Sequence, residues 1–354
     1  MVDSAAQSRG HLIAGALVGC WRANPPAWQP DAAELDPIAL QLLTSGVGAL
    51  VWRCLRSSHI STVQIAEALH QLYRLNTVLA VLHRQRIEQL VSLLRAAGVE
   101  LMLVKGWTAA RLYPDEGLRP YSDIDLVIHP RHFATAKNAL RDSDNQYDAD
   151  LHVGFAKFGG GSCEEIFARA RLLNVGSAEV RVPSLEDQLR ILAIHMLREG
   201  AWRPLWLCDV AAAVESRPDN FNWDVCRGGN RRWANWVTCA LRLAHELLGA
   251  EISGTPVATS NAPLPRWLVP TILNEWGSLQ PSMTKRHRAP MITYRRKPSE
   301  VLAGFRHRWP NPIEATIDLG GSFNGLPRLP FQLGSYVARG AKFAVRLPRL
   351  LRET

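Results

Sequence analysis

VELMLVKGWTAARLYPDEGLRPYSDIDLVIHP, residues 99–130, decides the fold. VELMLV is a dense apolar run of the kind a buried strand needs. Lys105-Gly106 breaks it, and TAARLY has the Ala, Leu and Arg content of a helical turn. Pro114 and Gly117 end that turn, and Pro120 keeps the chain extended ahead of SDIDLVIH. The stretch therefore predicts strand, glycine turn, short helix, loop, strand. Side chains alternate along a strand, so Asp123 and Asp125 project from one face while Ile124 and Leu126 take the other. Two carboxylates side by side repel, and a divalent cation between them removes that cost. Asp-Ile-Asp alone is equally the alternation of a half-exposed strand. The Lys-Gly turn upstream tips the balance, because it offers backbone N–H groups and a cation to phosphate.

The same residues resemble the DNA polymerase β-type nucleotidyltransferase superfamily, in which a glycine turn precedes a strand carrying DxD. More narrowly, they resemble an uncharacterised bacterial nucleotidyltransferase family with a signature close to LKG…LYPD…GLRP…DIDLLV. Leu103, Lys105, Gly106, Leu112 to Asp115, Gly117 to Pro120 and Asp123 to Val127 match it in order. Trp107 stands where the wider superfamily has serine, and the YPDEGLRP loop lengthens the path to Asp123. A later alternating segment, YDADLHVGFAKF, is similar to the strand that carries the superfamily's third carboxylate. Asp150 is the match, Asp148 the fallback two residues away, and His152 shares their face. CEEIFARARLL after it also resembles the family's continuation.

The resemblance implies transfer of an NMP from an NTP, ATP above all, to an acceptor hydroxyl with release of pyrophosphate. Asp123, Asp125 and Asp150 would bind two Mg²⁺ ions, with Mn²⁺ as an alternative, about 3.5–4 Å apart. Asp125 with Asp150 would serve the acceptor and Asp123 with Asp125 the pyrophosphate. Lys105, Gly106, Thr108 and Arg119 would contact the nucleotide. The acceptor stays open among a small metabolite or sugar, a protein side chain and an RNA end. Two other classes compete: a non-catalytic NTP-binding or regulatory module, and a basic nucleic-acid-binding protein in which the DxD is incidental.

Around this core the chain of 354 residues, 47% hydrophobic with a formal charge of +9, predicts two or three modules. Residues 1–95 form an N-terminal helical subdomain, helical in period from Asp31 onward. HLIAGALVGC reads as a short packed helix, with a lipoprotein cleavage box at Leu17-Val18-Gly19-Cys20 as the minor alternative, because the residues before it are poor in positive charge and the run is too short to span a bilayer. Leu69, Leu72, Leu75, Leu79 and Leu82 form a stripe expected to pack within this region. Residues 96–182 form the α/β (α+β) core with its small mixed sheet, and RHFATAKNALRDS is a covering helix. Residues 183–250 are helical again, opened by Ser184 with Asp187 three later. His195 on an apolar face and Trp233 and Trp236 are assigned to the core, while Asp209 among apolar neighbours must find a partner if buried. Residues 251–354 turn proline-rich and then basic, with KRHR at 285–288, RRK at 295–297, RHR at 306–308 and a basic amphipathic end. That charge suits a solvated surface, a nucleic acid or a membrane surface. Six cysteines without CxxC spacing read as buried free thiols of a reducing cytoplasm.

Overall fold

A computed structural model describes residues 3–56, 58, 64–143, 147, 149–158, 161–258, 263–279 and 309–350. Asp148 and the three basic clusters lie outside the described residues. The chain forms a mixed α/β structure in which a three-stranded sheet and a two-stranded hairpin are flanked by helices.

Helix α1 (Ser4–Ala16) starts on the Asp3 side chain, which accepts from the Ala5 N–H at 3.0 Å. Helix α2 (Ala32–Leu35) opens on a capping box of Asp31 and Glu34, followed by α3 (Ala39–Thr44) and α4 (Gly48–Leu55). Helix α5 (Gln64–Ala96) has 33 residues and runs roughly 50 Å at 1.5 Å per residue. Its first turns bury Ala66 and Leu69, and its last turns bury Ile87, Leu90, Val91 and Leu94 against the sheet. The middle belongs to neither core. There Leu72 is half-buried, while Leu75, Leu79 and Leu82 are exposed, with Val78 and Val81 beside them. The leucine stripe expected to be packed is thus covered only at Leu69 and partly at Leu72. A helix bridging two cores has a span between them, and there it packs its other side: Thr77 lies against Gly117, and the Tyr73 hydroxyl donates to Asp115 at 2.5 Å.

The sheet contains β1 (Leu101–Val104), β2 (Ile124–Ile128) and β3 (Ala149–Val153) in the order β1-β2-β3. β1 and β2 are antiparallel, β2 and β3 parallel, and α7 (Phe133–Asp142) makes the crossover that a parallel pair requires. Strand alternation sorts the two faces. Leu101, Leu103, Ile124, Leu126 and Ile128 pack on α5 and α7, whereas Met102, Val104 and Val127 pack on Phe155, Phe158, Ile166 and Phe167. Asp125, between Ile124 and Leu126, belongs to this second face. A hairpin absent from the expectations above follows α8 (Cys163–Ala168): β4 (Arg171–Val175) and β5 (Ala178–Val182), turning at Gly176 with φ +60°. The Glu88 carboxylate of α5 fixes that turn by accepting from the Ser177 N–H and Oγ at 2.7 and 2.6 Å.

Helix α9 (Leu185–Arg198) is capped by Ser184 as expected, and α10 (Pro204–Glu215), α11 (Trp223–Arg227) and α12 (Arg231–Leu248) follow. Their apolar faces merge with those of α1, α3 and α4 into one cluster. Trp236 is buried and Trp233 packs against this cluster. Helices α13 (Leu268–Gly277), α14 (Pro312–Asp318) and α15 (Leu329–Leu350) complete the described chain. Among the described residues no helix is long and apolar enough to cross a membrane; all six cysteines are free, and five are buried as expected, whereas Cys163, at the start of α8, is half-buried.

Helices α1 and α13 cross closely through glycine. A Cβ at Gly10 would stand 2.1 Å from the Leu273 carbonyl oxygen, and one at Gly277 would stand 1.8 Å from that of Ala6. Glycine to alanine inside a helix ordinarily stabilises by up to about 1 kcal/mol. Here Gly10→Ala is expected to destabilise instead, by about 1–3 kcal/mol as overpacking does. Urea unfolding of the variant beside wild type checks the sign.

Candidate functional site

The site begins where β1 ends. Lys105 follows the strand with φ +54° and ψ −139°, and Gly106 follows with φ +27°, so the chain turns sharply into α6 (Gly106–Ala110). A Cβ on Gly106 would lie 3.4 Å from the Asp123 carbonyl oxygen, which places this turn directly against the entry to β2. The Thr108 hydroxyl donates to the Lys105 carbonyl at 2.7 Å, and Gln188 donates to the Thr108 carbonyl at 2.9 Å. Thr108 is buried and ties the turn together. Trp107 is buried in the core between sheet and helices.

Register then brings the acids together. Asp125 pairs with Val104 on one side and with Asp150 on the other. Asp150 and His152, two apart on β3, share the Asp125 side of the sheet. Asp125, Asp150 and His152 each offer a ligand atom within 4.8 Å of the others. His152 Nε2 lies 3.0 Å from Asp125 Oδ1 and 3.5 Å from Asp150 Oδ2. Asp125 and His152 are buried, whereas the Asp150 side chain is 45% exposed and forms the open edge of the group. Lys105 Nζ closes the other edge, 2.5 Å from Asp125 Oδ1. Phe158 forms the floor, edge-on to His152 at 4.8 Å and under the Lys105 ammonium at 5.2 Å.

Asp123 lies just ahead of β2, half-buried, and its carboxylate accepts from Ser122 Oγ at 2.8 Å. It is outside the three-residue group. Of the three predicted ligands the fold therefore unites two, Asp125 and Asp150, and adds His152. The sequence put His152 on the right face through its i, i+2 relation to Asp150, but gave it no role.

Arg119, expected at the nucleotide, pairs with a carboxylate of the helical layer. Its guanidinium clasps Asp209 of α10, with Nε to Oδ1 at 3.1 Å and Nη2 to Oδ2 at 2.6 Å, and the Tyr113 hydroxyl donates to the same Oδ1 at 2.9 Å. Burial alone would pull the arginine pKa down, but the Asp209 carboxylate outweighs it and leaves the value raised. Burial, and then the Asp209 charge, push the Tyr113 phenol well above its ordinary value. Asp209 thus finds the partners its burial demands. His195 is half-buried and sits edge-on to Trp206. A cation the sequence did not flag stands nearby: Arg203, at the start of α10, donates from Nε to the Ser45 carbonyl at 2.8 Å. Burial, and then the neighbouring Arg119 charge, push its pKa down to about 10, with Asp209 and Asp123 opposing.

Two carboxylates and an imidazole on adjacent strands of a small mixed sheet, beside a glycine turn, form a group that could hold a metal ion. The chain belongs to a family of uncharacterised nucleotidyltransferases, which it matches over residues 32–154 and 156–249, more than half its length. No curated protein and no solved structure matches the chain.

Removing one partner of a buried ion pair costs about 3–5 kcal/mol, because the other charge is left uncompensated. Arg119→Met is expected to lose stability on that scale. Arg119→Met/Asp209→Leu is expected to recover a large part of it, and thermal unfolding of the two variants and wild type checks the coupling.

Proposed function

We propose that the protein transfers an NMP from an NTP to an acceptor hydroxyl at the Asp125–Asp150–His152 group. The observation that carries this reading is the convergence of those three side chains beside the Lys105-Gly106 turn, in a chain of nucleotidyltransferase kinship. The donor set fits a divalent cation. Two carboxylates supply the hard oxygens that Mg²⁺ and Mn²⁺ prefer, and the imidazole adds one nitrogen donor beside them. Such a cation would supply charge neutralisation at the transferring phosphoryl group and lower the pKa of the acceptor hydroxyl.

The chain's own residues do the rest. Asp125, fixed on the central strand, and Asp150, at the open edge, would hold with His152 the cation against which the reacting phosphate is positioned. Asp123, on the approach to β2, is the carboxylate for a second ion on the pyrophosphate side. Gly106 lets the backbone come close to the phosphates, and Lys105 neutralises their charge. The acceptor oxygen attacks the α-phosphorus, a new P–O bond forms, the bond to the β-phosphate oxygen breaks, and the acceptor proton passes to solvent beside Asp150. ATP is the nucleotide we assign. The acceptor is a hydroxyl of a small molecule, a sugar, a protein side chain or an RNA end.

Asp125→Asn and Asp150→Asn are each expected to reduce transfer by a factor on the order of 10³, the scale on which loss of one preorganised electrostatic contact acts. Asp123→Ala is expected to do the same if the second ion forms. Pyrophosphate release with Mg²⁺ or Mn²⁺, each of the four NTPs and a cell extract as acceptor source reads this. Nucleotide binding without turnover would instead mark a regulatory module, and full activity in either Asn variant would remove the site assignment.

A further inference from the structure

We infer that Lys105 is a resident counter-ion of this site, competing with a divalent cation for Asp125 until a polyphosphate draws the ammonium away. The inference rests on the functional reading above and deepens it. The competition is over one atom. Asp125 Oδ1 accepts the Lys105 ammonium at 2.5 Å and lies 3.0 Å from His152 Nε2. Both partners of the ion pair are buried, 8% and 6% exposed, so little water softens their interaction. A cation gathered by Asp125, Asp150 and His152 would sit on the same carboxylate as the ammonium. Two positive centres that close in a dry site repel strongly, and one must leave.

Lys105 is built to be the one that leaves. Its charge rides on a four-carbon stem with three freely rotating donors, and it holds Asp125 through a single contact. Arg119 and Arg203, two further cations of this region, are engaged elsewhere: Asp209 clamps Arg119 bidentately, and Arg203 donates to the Ser45 carbonyl. The Lys105 backbone is itself part of the turn that meets the phosphates, so a triphosphate arriving there offers the ammonium a new anion within reach of the same stem. Metal and nucleotide would then bind cooperatively. Metal alone must displace the ammonium without compensation, whereas metal with polyphosphate lets every charge keep a partner. In the absence of nucleotide, the lysine also keeps Asp125 compensated, so the core does not depend on metal to fold.

The test reads metal binding and not turnover. Free Mn²⁺ is followed by electron paramagnetic resonance during titration of wild type, Lys105→Met and Lys105→Gln in nucleotide-free buffer. Lys105→Gln keeps a hydrogen-bond donor for Asp125 without the charge, and covers failure of Lys105→Met to fold. Both neutral variants are expected to bind Mn²⁺ at least tenfold more tightly than wild type. The added affinity should vanish in Lys105→Gln/Asp150→Asn, which places the ion at this group. With a non-hydrolysable ATP analogue and free Mn²⁺ held fixed, wild type should approach the neutral variants to within about threefold. Equal or weaker Mn²⁺ binding in the folded neutral variants would overturn the counter-ion role while leaving the site assignment standing. Absence of Mn²⁺ uptake by all three proteins, or uptake indifferent to Asp150→Asn, would overturn the metal site and the counter-ion role together.

Discussion

A carboxylate buried on the central strand of a small sheet is the constraint around which this molecule is arranged. Asp125 sits on β2 between two flanking strands, with apolar neighbours Val104 and Val127 on its own face. An ionised group there is costly unless charge and hydrogen bonds are supplied. The register of β3 brings His152 to it, and the left-handed turn after β1 brings Lys105. The sharp Lys105-Gly106 turn, the alternation of β2 and the parallel pairing of β3 are thus parts of one solution to one electrostatic problem. The same solution leaves Asp150 at the open, solvent-facing edge of the group.

A second buried acid organises the surroundings. Asp209 on α10 is held by Arg119 and Tyr113, which both belong to the YPDEGLRP loop between α6 and β2. That loop in turn packs against the middle of α5 through Gly117 and through the Tyr73–Asp115 contact. The inserted segment is therefore the joint between the sheet and two helical layers. Its charged residues are absorbed in holding those layers together, which explains why Arg119 points its donors at a carboxylate and why Arg203, set beside it, feels both burial and a neighbouring positive charge.

Helix α5 shows the same division of labour. Its two ends contribute to two different cores, and its middle meets the loop on one side while leaving an apolar strip outward. Periodicity alone marks such a stripe as a packing face, because the spacing of leucines is identical whether or not another element reaches them. The α1–α13 crossing is the opposite case. Gly10 and Gly277 carry no hydrophobic signal, yet their missing side chains allow two helices far apart in sequence to touch at the backbone.

Local sequence determined the local elements and their faces. The apolar run before Lys105-Gly106, the alternation through Asp125 and through Asp150 and His152, and the Ser184 cap follow from chain geometry that each segment carries within itself. The small mixed sheet with helical flanks is what the family resemblance implies, not what the segments themselves encode. The tertiary structure decided which side chains meet. Asp125 faces Asp150 because of strand register, and His152 joins them because β3 lies parallel to β2. Arg119 turns to Asp209, 90 residues away, because a buried carboxylate on α10 attracts it more firmly than solvent does. Thr108 and Trp107 are drawn inward by the turn and the core. The hairpin of β4 and β5 forms where Glu88 of a distant helix holds its turn. Spacing within one segment encodes direction, but partners are chosen by burial and charge across segments, and these exist only once the chain has folded.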